Sequence, residues 1–286
     1  IGFRFEVGAD WTAYLMFFNK NLDLDIMMYE YEIGYSFLNY IINKFNLGFI
    51  FLNFVLSTIF LICFYYFFNK AKNFFFILTM SLPMIIFIYG MGFNRQIVAL
   101  GFFLVTINYF LNQKYLKAII FFILSFLFHK SVIIFTPIFI FHYIILKVVN
   151  KYNLQKYLEL RYLIIFFLVI LTTFILLYNI VGNFIVNIND SIQYYYDAYI
   201  KMQSRGFYFR IAPILLSIIT FFVFYKKLEI GNSELIMYLI FIFIIILFFF
   251  ITFLVGPATL FDRLLVYLCI IQILIFEKIY LLIKNL

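Results

Sequence analysis

Long apolar runs separated by short polar turns fill this chain, and their lengths predict helices that cross a membrane. A stretch of roughly 17 to 25 apolar residues spans the hydrocarbon as a helix, which satisfies its own backbone groups. Runs fall at about 47–68, 74–93, 95–112, 116–128, 131–146, 162–182, 210–225, 235–255 and 264–283, about nine in all. The predicted fold is an all-α polytopic bundle forming a single integral-membrane domain over residues 1–286. Two longer segments, 1–46 and 183–209, lack the apolar length to span. Their aromatic-rich stretches DWTAYLMFF and NDSIQYYYDAYIKMQSRGFYFR predict short interfacial helices.

The runs 116–128 and 131–146 read as a hairpin, because one continuous crossing would invert every later loop against the distribution of lysines. Arms of 13 and 16 residues reach only roughly 20 to 24 Å at 1.5 Å per residue, short of a core of about 30 Å. The tip His129-Lys130-Ser131 is therefore expected below the membrane surface, where an ionisable group is costly unless it serves a function.

Composition agrees with the pattern: 67% of the 286 residues are hydrophobic, 12% are charged, and mean hydropathy is +1.08. Soluble domains carry about twice that share of charge. The 24% aromatic content follows a general bias to Phe, Ile, Tyr, Asn and Lys, so no single aromatic stripe identifies a function. Two isolated cysteines, Cys63 and Cys269, form neither a disulfide framework nor a metal spacing. The chain opens on Ile1 with a charged, turn-rich stretch, so upstream sequence containing one more helix is expected.

Charge then orients the bundle. The loops holding Lys70, Lys72, Lys114, Lys117, Lys147, Lys151, Lys156, Arg161, Lys226, Lys227, Lys278 and Lys284 contain 12 of the 21 basic residues but only four of the 13 acids, and so carry the whole net charge of +8. By the positive-inside rule that side is cytoplasmic. Five of the six arginines, Arg4, Arg95, Arg205, Arg210 and Arg263, fall on the other side. A guanidinium fork suits bidentate grip on phosphate or carboxylate, so this segregation points to a phosphate-linked substrate on the non-cytoplasmic face.

Candidate chemistry is sparse. RFEVGADWTAY supplies Arg4 and Asp10, a pair that can hold a sugar hydroxyl or accept its proton, or merely orient an interfacial loop. Arg95 in GMGFNRQ begins a span and reads either as a snorkelling anchor or as an anion ligand. His129 is a candidate base, while His142, deep in an apolar run, reads as structural. With only two histidines no His-built metal site is expected, and Asp23 and Asp25 lack partner ligands. There is no P-loop, no nucleophile elbow and no basic stripe for nucleic acid.

RFEVGADWTAY, EIGYSFLNYII, GFNRQIVALGFF and SFLFHKSVIIFTPIF occur in this order over the first half of the chain. Together they resemble the EpsG/Wzy-type family of polysaccharide polymerases. The second half matches in its spans and in the DRLLVY segment. The resemblance implies joining of oligosaccharide repeat units, carried on a polyprenyl diphosphate, into capsule, O-antigen or exopolysaccharide chains at the outer face of the bacterial cytoplasmic membrane. It implies His129, Asp10 and Arg95 as catalytic residues, and Arg4, Arg95, Arg205, Arg210 and Arg263 around the diphosphate, with no metal and no cofactor. The expected partners are the lipid-linked oligosaccharide, the bilayer, and chain-length regulator and flippase proteins, with no nucleic acid. The competing expectations are a transporter or flippase of lipid-linked sugars and a membrane acyltransferase acting on polysaccharide.

Overall fold

A computed structural model describes residues 2–8, 10–20, 31–69, 71–152, 206–255 and 258–284, and these contain helices and turns without a strand. The expected span 162–182, most of the segment 183–209 with Arg205, and the Asp23 and Asp25 pair lie outside the described residues. The chain divides into two compact units, Ile1–Phe139 and Ile140–Leu286.

The first unit begins with two short helices, α1 (Trp11–Asn19) and α2 (Ile33–Lys44). Asn43 Nδ2 of α2 donates to the Phe18 carbonyl at the end of α1, 2.6 Å away. After a left-handed turn at Asn46 and Gly48 come α3 (Gly48–Phe68), α4 (Phe74–Gly92), α5 (Asn94–Leu111) and α6 (Tyr115–Phe128). The Asn73 side chain caps α4 by accepting from the Phe76 amide at 3.0 Å, which satisfies one of the donors a helix start leaves open. Around Pro83 the helix widens to π-type geometry over Leu82–Tyr89, as expected where proline withdraws an amide from the ladder.

At the centre lies α5, buried around nearly its whole circumference and packed between α3 and α6. Small residues permit this approach. A Cβ on Gly101 would stand 3.1 Å from Cys63 Cβ and 3.3 Å from Phe60 Cα. Ser125 Oγ of α6 donates to the Ala99 carbonyl at 2.6 Å, and Asn94 Nδ2 donates to Asn53 Oδ1 of α3 at 2.6 Å.

Beyond α6 the backbone opens at His129 (φ −157°, ψ 114°), makes a 3-10 turn over Lys130–Phe135 and enters α7 (Thr136–Lys151). The rings of Phe122 and Phe139 are 5.6 Å apart, whereas 17 residues of unbroken helix would separate them by about 25 Å. The chain therefore reverses at His129, as a hairpin requires.

The second unit contains the rest of α7, then α8 (Phe207–Phe224), α9 (Asn232–Val255), α10 (Ala258–Leu268) and α11 (Ile270–Lys284). α8 packs on α10 and α11, and α9 packs on α10. His142 Nε2 donates to the Ser233 carbonyl at 2.8 Å, fastening α7 to the start of α9 in the structural role its apolar setting suggested.

Seven helices among the described residues are long and apolar enough to cross a membrane: Gly48–Phe68, Phe74–Gly92, Asn94–Leu111, Lys130–Lys151, Phe207–Lys227, Asn232–Phe253 and Phe261–Lys284. Of the nine expected spans, the one at 116–128 is the shorter apolar helix α6, of 14 residues, and the one at 162–182 is not described.

Candidate active site

Four chain breaks meet at one end of the first unit: the start of α2, the turn from α4 to α5, the end of α6, and the N-terminal loop. Lys72, between α3 and α4, Lys114, between α5 and α6, and Lys117, in the first turn of α6, lie at the opposite ends of those helices.

The N-terminal loop is held over the turn between α4 and α5. Gly8 has φ +104°, and a Cβ there would come within 2.6 Å of the Met91 carbonyl oxygen, so both the conformation and the space require glycine. Arg4 is buried beside it, donating from Nη1 to the Gly90 carbonyl at 3.2 Å and to the Met91 carbonyl, with its guanidinium 5.8 Å from the centre of the Trp11 ring. A cation there answers the open carbonyls and negative dipole end of α4. Burial pulls the Arg4 pKa down to about 10, against the opposing influence of Tyr14 and Tyr35.

Glu32, which immediately precedes α2, joins two of the expected site residues. Its Oε2 accepts from Arg95 Nη1, and its Oε1 lies 3.0 Å from His129 Nδ1. The side chains of Glu32, His129 and Arg95 are 8%, 13% and 21% exposed. Burial would raise the Glu32 carboxyl, but the His129 hydrogen bond and the charge of Arg95 outweigh it and hold the carboxyl at about 2. The acid is ionised at any physiological pH.

Both bases have further partners. Arg95 Nε donates to Tyr14 Oη at 3.1 Å, and the guanidinium carbon lies 4.6 Å from the Tyr31 ring centre and 5.4 Å from that of Tyr14, within cation–π range. Nη2 takes no part in these contacts. His129 Nε2 lies 2.9 Å from Gln96 Nε2. Burial raises the Tyr14 hydroxyl pKa, opposed by Arg95, and burial raises that of Tyr35 well above its usual value. Both phenols stay protonated.

Close packing sets this constellation. A Cβ on Gly34 would sit 2.9 Å from Phe128 Cε2 and 3.0 Å from the Leu127 carbonyl oxygen, so α2 begins directly against the last turn of α6. Arg95 and Gln96 extend from the first turn of α5 beside them.

The remaining candidates are placed differently. Asp10 precedes α1 without a side-chain cap, and no hydrogen bond among the described residues links it to Arg95, Glu32 or His129. In the second unit, Arg210 forms a fork with Asp262, with Nε 2.5 Å from Oδ1 and Nη2 on Oδ2, while Arg263 is exposed. Among the described residues no group of three or more His, Cys, Asp or Glu is placed to hold a metal.

The EpsG family profile matches residues 1–285. The chain belongs to the EpsG family. No curated protein and no solved structure matches it. As an EpsG-family chain it is a multi-pass membrane protein of polysaccharide-polymerase type. Its Glu32 was missed as a site residue by sequence reasoning, although it opens the EIGYSFLNYII stretch that carries the family resemblance. The available signal was an acid at the head of that stretch, the last of a short acidic run with Asp23, Asp25 and Glu30.

Proposed function

We propose that this EpsG-family protein polymerises polyprenyl-diphosphate-linked oligosaccharide repeat units at the outer face of the bacterial cytoplasmic membrane, yielding capsular, O-antigen or exopolysaccharide chains. The observation that carries this reading is the convergence of Arg95 and His129 on one buried carboxylate at the lysine-poor end of the bundle. Lysine-rich turns at the opposite end read as cytoplasmic by the positive-inside rule, which supports an outer position for the cluster.

In the transfer, the acceptor hydroxyl oxygen bonds to the anomeric carbon of the donor sugar while the bond from that carbon to the diphosphate breaks. The hydroxyl proton passes to His129, and the polyprenyl diphosphate leaves with the electron pair. Such a leaving group needs charge stabilisation and the acceptor needs a base. Arg95 offers Nη2 to the developing phosphate charge. Arg4 adds positive potential behind it while tying the loop to α4. The family resemblance alone assigns Arg205, Arg210 and Arg263 to the diphosphate, and Asp10 is proposed as a second group able to hold the acceptor hydroxyl.

The test is the profile of lipid-linked glycans in a deletion strain complemented with wild type, Arg95→Ala or His129→Ala at matched protein levels. Loss of long polymer, with single repeats accumulating outside, is expected for deletion and both variants. Unchanged polymer length would remove the residue concerned from the mechanism. Repeats retained inside the deletion strain would instead indicate transport, and a polymer lacking only acyl groups would indicate an acyltransferase.

A further inference from the structure

We infer that Glu32 is a positioning residue: its carboxylate fixes the proton of neutral His129 on Nδ1, leaving the Nε2 lone pair facing Gln96 as the atom that receives the acceptor's proton. The role in transfer rests on the polymerase reading, whereas the tautomer is a property of the protein alone.

The argument begins with donor and acceptor capacity. An ionised carboxylate can only accept, so the ring nitrogen 3.0 Å from Glu32 Oε1 must carry hydrogen. In the neutral ring Nε2 is then the acceptor, and the atom 2.9 Å from it is the amide nitrogen of Gln96, a donor. The pairs agree along the whole chain of contacts from Glu32 through His129 to Gln96. The reverse tautomer would set the Nδ1 lone pair against a carboxylate, with no donor between them. Gln96 Oε1 is buried and has no hydrogen-bond partner among the described residues, where the side-chain amide is held at Nε2 by this single bond. An acceptor hydroxyl can therefore replace it at Nε2 without breaking a second hydrogen bond of the Gln96 side chain.

Arg95 completes the arrangement. Held on the other oxygen of Glu32, it fixes the carboxylate plane, so the direction offered to Nδ1 is set by two partners. The groups facing His129 are Glu32 ahead of α2 and Gln96 on α5. Arg95 reaches it through Glu32, Tyr14 and Tyr31 flank Arg95, and the neighbouring Lys130 is exposed.

This 286-residue chain has two histidines, so its 15N-imidazole NMR in lipid nanodiscs resolves the tautomers, with His142→Asn assigning the His129 signals. Neutral wild-type His129 is expected on Nδ1–H by roughly tenfold or more, the bias a charge-assisted hydrogen bond carries. Glu32→Gln should weaken that bias, since the charged acceptor that holds the Nδ1 proton is gone, while Glu32→Asp should keep it near wild type. A proton on Nε2 in wild type, or identical spectra in Glu32→Gln, would overturn the positioning role even if the strain polymerises normally.

The second arm is the initial rate of polymer formation in membranes from the producing strain. Glu32→Gln should lower it by about 10²-fold or more, and Glu32→Asp should restore part of the rate. A wild-type rate in Glu32→Gln despite an altered tautomer would overturn the catalytic relevance. Absence of polymer from wild-type membranes would count against the polymerase reading and leave the NMR result to decide the tautomer.

Discussion

Gly34 and Phe128 are in such close contact that a single methyl group on the glycine would come within 2.9 Å of the Phe128 ring. This contact brings the start of α2 to the end of α6, and so brings Glu32 to His129, 97 positions away in the chain.

Gly34→Ala should therefore damage the site without touching a charged group. The Leu127 carbonyl, 3.0 Å from the added Cβ, belongs to a helix end and cannot rotate aside as the Phe128 ring can. Overpacking of this kind costs about 1–3 kcal/mol. Thermal unfolding in detergent should show that loss, with polymer formation falling further than protein level does.

Arg95→Lys should fail despite keeping the charge. An ammonium on a flexible stem cannot reproduce both the Glu32 and Tyr14 bonds and the stacking on Tyr31. Loss of long polymer by about 10²-fold or more is expected on glycan gels. Arg95→Ala should also destabilise by about 3 kcal/mol, because it deprives a buried carboxylate of one of its partners.

Stability should depend on pH through Glu32 only in acid. Its folded pKa, about 2, lies below the ordinary value of 4.5, so folding favours the ionised form. That contribution is complete above about pH 5 and is lost as pH falls from 4.5 toward 2. Melting temperatures of wild type and Glu32→Gln should differ by a constant amount near neutrality and converge below pH 4.

Arg210 and Asp262 are expected to act as one unit. Asp262→Asn and Arg210→Gln should each destabilise the second unit, and the double variant should cost less than their sum, with a coupling of about 1–3 kcal/mol in unfolding measurements. Gly206→Ala should mimic Arg210→Gln, since its Cβ would fall 2.5 Å from Arg210 Nη2.

The sequence by itself determined the membrane class, most of the spans, the hairpin at His129 and the family. Each of these is written in neighbouring residues, because a bilayer demands continuous apolar length and charge orients each loop locally. Arg95 and His129 were visible as isolated ionisable residues at helix ends. Their common partner was not, because Glu32 is distant in the chain and acquires meaning only where Gly34 meets Phe128. Arg4 and Arg95 look alike in sequence, yet one donates to main-chain carbonyls and the other to a carboxylate. That difference belongs to the tertiary structure: what a guanidinium binds depends on which groups packing brings within about 3 Å of it, and no local pattern encodes that distance.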